Sequence, residues 1–424
     1  MKKVLLVVLC FMLVLPGCTD TTPSAEPATL NTEPVTEPVA EQITEPVTEP
    51  IAEQITEPVP EPVPEFSELD HDAVYAEIER ISKKYNAMGV QVALVENGQV
   101  VGSYAYGWAT SKKIPMTTDH KIRIASLTKV AVGIAALLLH EDGTVDLEAS
   151  IGDIWGVPAQ NPQFPDHTIS IWNILSHTSS IASYEDDVST TYRDVRNRMS
   201  YGYWSVEPGV MKSRCYNNYA FRVLGSTLEL AAGKTLDDIM DEKLYNAMGI
   251  DAAFAPGDVD DTSLVATLYE GTLVTRSVSK QLSYHGPENP GDNGSYYAGG
   301  LTISAEDLAK MAAMLGNDGV YNGQRFMSPE SVELMEQLMD TPLRNGAYQG
   351  HPLMHVPEMY GREKIYFHTG RGCGVFTSFS YDAATGDGVV VLTTGARGYM
   401  NDLEISFICD EINTYAYNLM AEQQ

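Results

Sequence analysis

Apolar positions follow a clear period over most of this chain and none over one long stretch near its start. An unbroken apolar run at residues 4–15 gives way to residues 19–66, where Thr-Glu-Pro units replace any hydrophobic rhythm. Periodicity then returns, with apolar residues three and four apart that predict an amphipathic helix from about 69 to 85, capped by Ser67. Residues 90–95 and 99–106 alternate about Asn97-Gly98, a pair that favours a tight hairpin. From Ser126 to about Met248 the pattern is mostly helical, with Pro208-Gly209 among the breakers between elements. A second strand region follows at 366–368, 374–381 and 388–394, the last two separated by a Thr385-Gly386-Asp387-Gly388 turn, before a terminal helix over 402–420. Strands at both ends with helices between them predict an α+β fold. Its antiparallel sheet is built from both ends of the domain and flanked by helices, with a mostly helical region inserted.

Composition separates the front of the chain from this body. Residues 19–66 hold no Lys or Arg, while Asp20 and ten glutamates are spread among prolines, and residues 32–43 and 44–55 are a repeat differing only at Val39 and Ile51. Dense proline blocks helix and sheet and like charge stretches the chain, so the segment reads as an extended spacer reaching on the order of 150 Å. A tether is the simpler role, and a ligand for a wall partner the alternative. Ahead of it, Lys2 and Lys3 lead into an apolar stretch too short for a comfortable membrane span, ending in Leu15-Pro16-Gly17-Cys18. That ending resembles a lipobox. The resemblance implies a bacterial lipoprotein signal over 1–17, lipidation of Cys18, and a mature chain anchored to the outer face of the cell membrane. Residues 18–66 would then be the anchor and spacer, and 67–424 the working domain.

Charge narrows the partners. Of the net −30, the signal carries +2 and the spacer −11, leaving −21 on residues 67–424. Such a body repels nucleic acid and anionic headgroups, so neither is expected as a main partner. Without Cys10 and with Cys18 lipidated, Cys215, Cys373 and Cys409 remain, none in zinc spacing. The His351/His355 pair has Pro352 inside it and no adjacent glutamate. No metal and no cofactor is expected. Cys215 and Cys373 flank the chemistry described next, and they read as two free thiols, with a disulfide as the alternative.

The chemistry begins at Ser126-Leu127-Thr128-Lys129, at the head of the apolar run 130–139. Three residues apart on a helix lie on one face, so the Lys129 amine can reach the Ser126 hydroxyl as nucleophile and base. Tyr216-Asn217-Asn218 follows 90 residues later, and His368-Thr369-Gly370 far down the chain. No Gly-x-Ser-x-Gly elbow offers a competing nucleophile.

Taken in order with Ile174-Leu175-Ser176-His177-Thr178-Ser179, Val223-Leu224-Gly225, Ala298-Gly299-Gly300-Leu301 and Glu306-Asp307-Leu308-Ala309, these motifs resemble the class C beta-lactamase and low-molecular-weight penicillin-binding protein superfamily of serine hydrolases. The resemblance runs from about Val90 to Thr394. It implies the beta-lactamase/transpeptidase-like fold, catalysis by Ser126, Lys129 and Tyr216, and Asn218 orienting both Lys129 and substrate. It also implies a strand carrying His368, Thr369 and Gly370 beside the substrate, and an oxyanion hole from the N–H groups of Ser126 and Arg371. His177 reads as a hydrogen-bonded scaffold residue. Three departures stand out, the first two bearing on substrate and the third on local turn geometry more than chemistry. His368 stands where lysine is usual, which replaces a permanent charge by one expected to titrate near neutrality and disfavours an efficient beta-lactamase. Arg371 stands where a small residue is usual and is a candidate to narrow the cleft or restore the charge. Ser180 replaces a glycine. Three function classes follow: a surface hydrolase cutting a D-amino-acid amide or ester in a small envelope peptide or ester substrate, a D-alanyl esterase acting on teichoic acid, and a catalytically silent wall-binding or sensor module.

Overall fold

The computed structural model describes residues 69–110, 113–182 and 188–422. The signal stretch, Cys18, the Thr-Glu-Pro spacer and Ser67 lie outside the described residues. Helix α1 (His71–Lys84) starts on Asp70, whose carboxylate accepts from the Ala73 N–H at 3.0 Å. The cap is therefore Asp70 and not Ser67: Leu69 is pulled into the core ahead of the helix, and the polar residue directly behind it takes the cap. Strands β1 (Gly89–Glu96) and β2 (Gln99–Thr110) form the expected hairpin. Asn97 and Gly98 both take positive φ, 48° and 71°, the mirror-image turn that matches strand twist. A short β3 (Ile114–Pro115) follows on the edge.

The inserted region contributes α2 (Thr128–Glu141), α3 (Asn218–Ala232) and α4 (Ala305–Gly316), with shorter helices such as Ile171–Leu175 between the first two. The chain then returns as β4 (Tyr348–Gln349), β5 (Met354–His355), β6 (Ile365–Gly372), β7 (Val375–Asp382) and β8 (Gly388–Thr394). Helix α5 (Phe407–Glu422) ends it. That helix starts later than the sequence pattern suggests, because the Asn401 side chain accepts from the N–H groups of Leu403 and Ile405, both at 3.0 Å, and turns the chain first. The sheet runs β4-β5-β6-β7-β8-β1-β2-β3, antiparallel at each pairing. Its two halves meet where β1 pairs β8, from Gly89 opposite Thr394 to Val95 opposite Gly388.

Both faces of the sheet are covered, which is why β1 and β8 read as nearly continuous apolar runs. Val90, Val92 and Leu94 pack with Val389 and Val391 beneath α1 and α5. Ala93 and Val95, with Val390 and Leu392, face α4 and α2. Each buried aliphatic side chain contributes roughly 1.5–3 kcal/mol. Gln91, polar within β1, is spent on bracing: its Nε2 donates to the carbonyls of Thr117, Thr118 and His120, and its Oε1 accepts from Ala305 N at the start of α4. At the other end of the sheet, Arg362 pairs with two buried carboxylates, Asp382 at 3.1 Å and Asp387 at 2.8 Å, and so fixes the β7–β8 turn. Among the described residues no helix is long and apolar enough to cross a membrane. The apolar run of α2 is instead central core, buried from Thr128 through Leu139.

Candidate active site

Ser126 sits in a 3-10 turn, Ala125–Leu127, that runs into α2. Ala125 holds a positive φ of 51°, a conformation that costs about 1–2 kcal/mol in a residue with a side chain and is maintained by its surroundings. Those surroundings are explicit. Thr128 Oγ1 donates to the Ala125 carbonyl at 2.7 Å and accepts from Leu301 N at 3.0 Å. Ile124 N donates to the Leu301 carbonyl at 2.9 Å, and Thr377 Oγ1 donates to the Ile124 carbonyl at 3.0 Å. Strand β6 closes from the other side. A Cβ on Gly370 would lie 2.4 Å from the Ile124 carbonyl oxygen and 3.3 Å from Ser126 N, so the motif needs glycine for its strand to reach the nucleophile's backbone.

The first turn of α2 brings Lys129 beneath the serine, as its spacing implied. Lys129 is fully buried, and its Nζ donates to Ser126 Oγ at 3.3 Å, Asn218 Oδ1 at 2.8 Å and the Ala298 carbonyl at 2.7 Å. The ammonium also lies 4.9 Å from the Tyr216 ring centre and 5.5 Å from that of Phe221, a cation–π setting. Burial pushes the Tyr216 hydroxyl up to about 12, against the pull of the nearby Ser126 hydroxyl and of the Arg214 charge. The phenol is therefore protonated at neutral pH.

The two asparagines after Tyr216 part company. Asn217 caps α3, accepting from Ala220 N at 2.9 Å, and its Nδ2 donates to the Ile181 carbonyl at 2.6 Å. Asn218, the first residue of α3, is the one that faces Lys129. His177 is scaffold, as expected: its Nδ1 accepts from Asn217 N at 3.2 Å and its ring lies 4.4 Å from that of Tyr216. Burial holds it neutral, well below the usual histidine range. Ser180 has a φ of 57°, the left-handed conformation that a glycine takes without strain, and Asn161 Nδ2 donates to its hydroxyl at 3.1 Å.

His368 overturns one expectation. It is buried on β6, and burial first, then the charges of Lys129 and Arg214, pull it down to about 3. It is a neutral imidazole at working pH and not a group titrating near neutrality. Its Nδ1 lies 2.8 Å from the Thr369 carbonyl, the geometry of a donor, which leaves Nε2 as an acceptor. The Arg371 side chain is exposed, and its Nη1 lies 3.5 Å from Met400 Sδ. Cys215 and Cys373 are free thiols. His351 stacks on Trp172 with ring centres 3.5 Å apart, and no cluster with metal-binding potential occurs among the described residues.

Two participants carried no assigned role in the sequence. The Ala298 carbonyl, a ligand of Lys129, lies in the quoted Ala298-Gly299-Gly300-Leu301 motif, whose other members brace Arg123 and Ile124. Arg214, two residues before Tyr216, is felt electrostatically at Tyr216, His177 and His368.

Known proteins carry related chains. The beta-lactamase family pattern matches residues 74–405. Penicillin-binding protein 4 of Amycolatopsis lactamdurans is 23% identical over 79% of this chain and 88% of its own. A D-aminopeptidase of Brucella anthropi is 28% identical over 49% of this chain, and the match spans only 40% of that protein. Among solved structures, D-amino acid amidase from Ochrobactrum anthropi SV3, complexed with L-phenylalanine amide, superimposes with a TM-score of 0.64 at 22% identity, covering 84% of this chain and 98% of that one.

Proposed function

The chain belongs to the beta-lactamase family, and from that premise we propose that it is a serine hydrolase that forms an acyl-enzyme on Ser126 and cuts a D-amino-acid amide or ester of the cell envelope. One observation carries the reading: Lys129 Nζ, held by Asn218 Oδ1 and the Ala298 carbonyl, donates to Ser126 Oγ at 3.3 Å and lies 4.9 Å from the centre of the Tyr216 ring. In the reaction, Ser126 Oγ attacks the substrate carbonyl and its proton passes to Lys129 in its neutral amine form. The carbonyl–nitrogen or carbonyl–oxygen bond breaks as Tyr216 returns a proton to the leaving group. Water then attacks the acyl ester, releasing the acid and regenerating Ser126. The backbone N–H groups of Ser126 and Arg371 would hold the developing oxyanion, and Asn218, with its Oδ1 on Lys129, would offer its amide N–H to the substrate.

The names of the relatives support the substrate class, since two of them act on D-amino-acid compounds. The lipobox-like ending at Cys18 and the spacer support a site for the same reaction at the outer face of a bacterial membrane. A neutral His368 also suits a D-alanyl ester, which makes teichoic acid the second reading. Intact-mass spectrometry after a penicillin or a fluorophosphonate should show an adduct on Ser126 that Ser126→Ala lacks while remaining folded. No adduct and no turnover in the wild type would leave the silent module. Release of D-alanine from peptide or from teichoic acid separates the two enzymatic readings.

A further inference from the structure

With His368 buried and neutral, the position where lysine is usual offers no cation to a substrate carboxylate. A different residue does. Arg214 follows the short turn Met211–Ser213, and the backbone just after it is pinned where Cys215 N donates to the His177 carbonyl at 3.0 Å. Its Nε donates to Gln349 Oε1 at 2.9 Å. Gln349 is itself held at the end of β4 by Nε2 bonds to the carbonyls of Gly350 and Pro352, at 3.0 and 3.1 Å. The guanidinium is thus aimed through one nitrogen. Among the described residues, both Nη groups, which together can grip a carboxylate end-on, have no protein acceptor.

Among the described residues, the charge also has no ion-pair partner. Arg214 is half-buried, and burial pulls it below the ordinary arginine value, though it stays charged at any working pH. Glu404, the acid whose charge reaches both Arg214 and Tyr216, is exposed and forms no ion pair with it. A half-buried guanidinium without a counter-ion is costly to keep, and a ligand anion removes that cost. Its position is specific, because it flanks Tyr216, which returns the proton to the leaving group, and its charge reaches His368 on β6.

We propose that Arg214 is the carboxylate receptor of this site, selecting substrates whose leaving group ends in a free carboxylate, such as peptides terminating in D-alanine, over their amides and neutral esters. This specificity role rests on the hydrolase reading above. The test compares kcat/KM for an acyl-D-alanyl-D-alanine peptide and its C-terminal amide in wild type, Arg214→Gln and Arg214→Lys. The preference for the carboxylate should fall about 10- to 100-fold in Arg214→Gln, through KM, and recover in part in Arg214→Lys, which keeps charge but not the fork. Equal losses on both substrates would overturn the proposal and reduce Arg214 to support for Tyr216. To separate this outcome from failure of the hydrolase reading, binding of the same two peptides is measured by calorimetry to Ser126→Ala and to Ser126→Ala with Arg214→Gln. Preferential binding of the carboxylate that disappears with Arg214→Gln supports the assignment even if the wild type turns over neither peptide. Indifference of the Ser126→Ala protein to the carboxylate overturns it. If Arg214→Gln melts far below the wild type, Arg214→Lys alone decides by the same ratio.

Discussion

Asn217 and Asn218 stand side by side with opposite duties, one tying down a helix and the other a lysine. Asn217→Ala should therefore cost about 1–2 kcal/mol of stability through the lost cap. Asn218→Ala should leave the melting temperature within a few degrees yet lower kcat about 100-fold, through a misplaced Lys129. Thermal melts and turnover on one chromogenic ester check both, and parallel losses in the two variants would contradict the split. Ser126, Lys129, Tyr216 and Asn218 were legible in the sequence because each lies in a short motif whose spacing fixes a face or a turn. The protonation of His368 was not, since it depends on burial beside Lys129, a residue distant in sequence. Arg214 escaped notice for a similar reason: what aims it is Gln349, 135 residues away.

Element boundaries were read well where turn chemistry is local and poorly where a single side chain intervenes. Asn97-Gly98 announced its hairpin, and the strand run 388–394 matched β8. The start of α5 depended on Asn401 accepting two backbone N–H groups, which no period reveals. The inward role of Gln91 was likewise hidden, because it mimics an outward polar position while bracing the start of α4 from inside. The β7–β8 turn carries a sharper liability. Asp382 and Asp387 are almost wholly buried and share Arg362, so Arg362→Ala strands two carboxylates in low dielectric. A loss of about 3–5 kcal/mol is expected, measured by urea unfolding of the folded domain. A loss below 1 kcal/mol would mean that water replaces the guanidinium.

At the scale of the whole molecule, buried acids and bases oppose one another. His368 is held down to about 3, His351 to about 4, and His177 well below its usual range, all by burial first. Each takes up a proton more readily when unfolded, so their contribution to stability is full above about pH 6.5 and is lost as pH falls through the range between the unfolded and folded values. Alone, three such groups would give a slope of about 4 kcal/mol per pH unit. Glu229, Asp237 and Glu336 are pushed up to about 7, again by burial first. They stay protonated in the fold where the unfolded chain has ionised, so their contribution declines as pH rises from about 4.5 to 7. The signs cancel. Stability measured by urea melts should be nearly flat between about pH 4.5 and 6.5 and fall steeply below 4; a slope near 4 kcal/mol per unit across that window would show that the acids do not compensate. The meeting of β1 with β8 has a further consequence, in time. These central strands are separated by about 300 residues, and closing a loop of that length costs about 5 kcal/mol in chain entropy. Their pairing is therefore a late and slow event. A growing chain holds its serine and lysine long before it holds β6, the strand that forms the opposite wall. The nucleophile remains unarmed until β6 has been made, and a fragment cut short of β6 would carry both motif residues with nothing to act against.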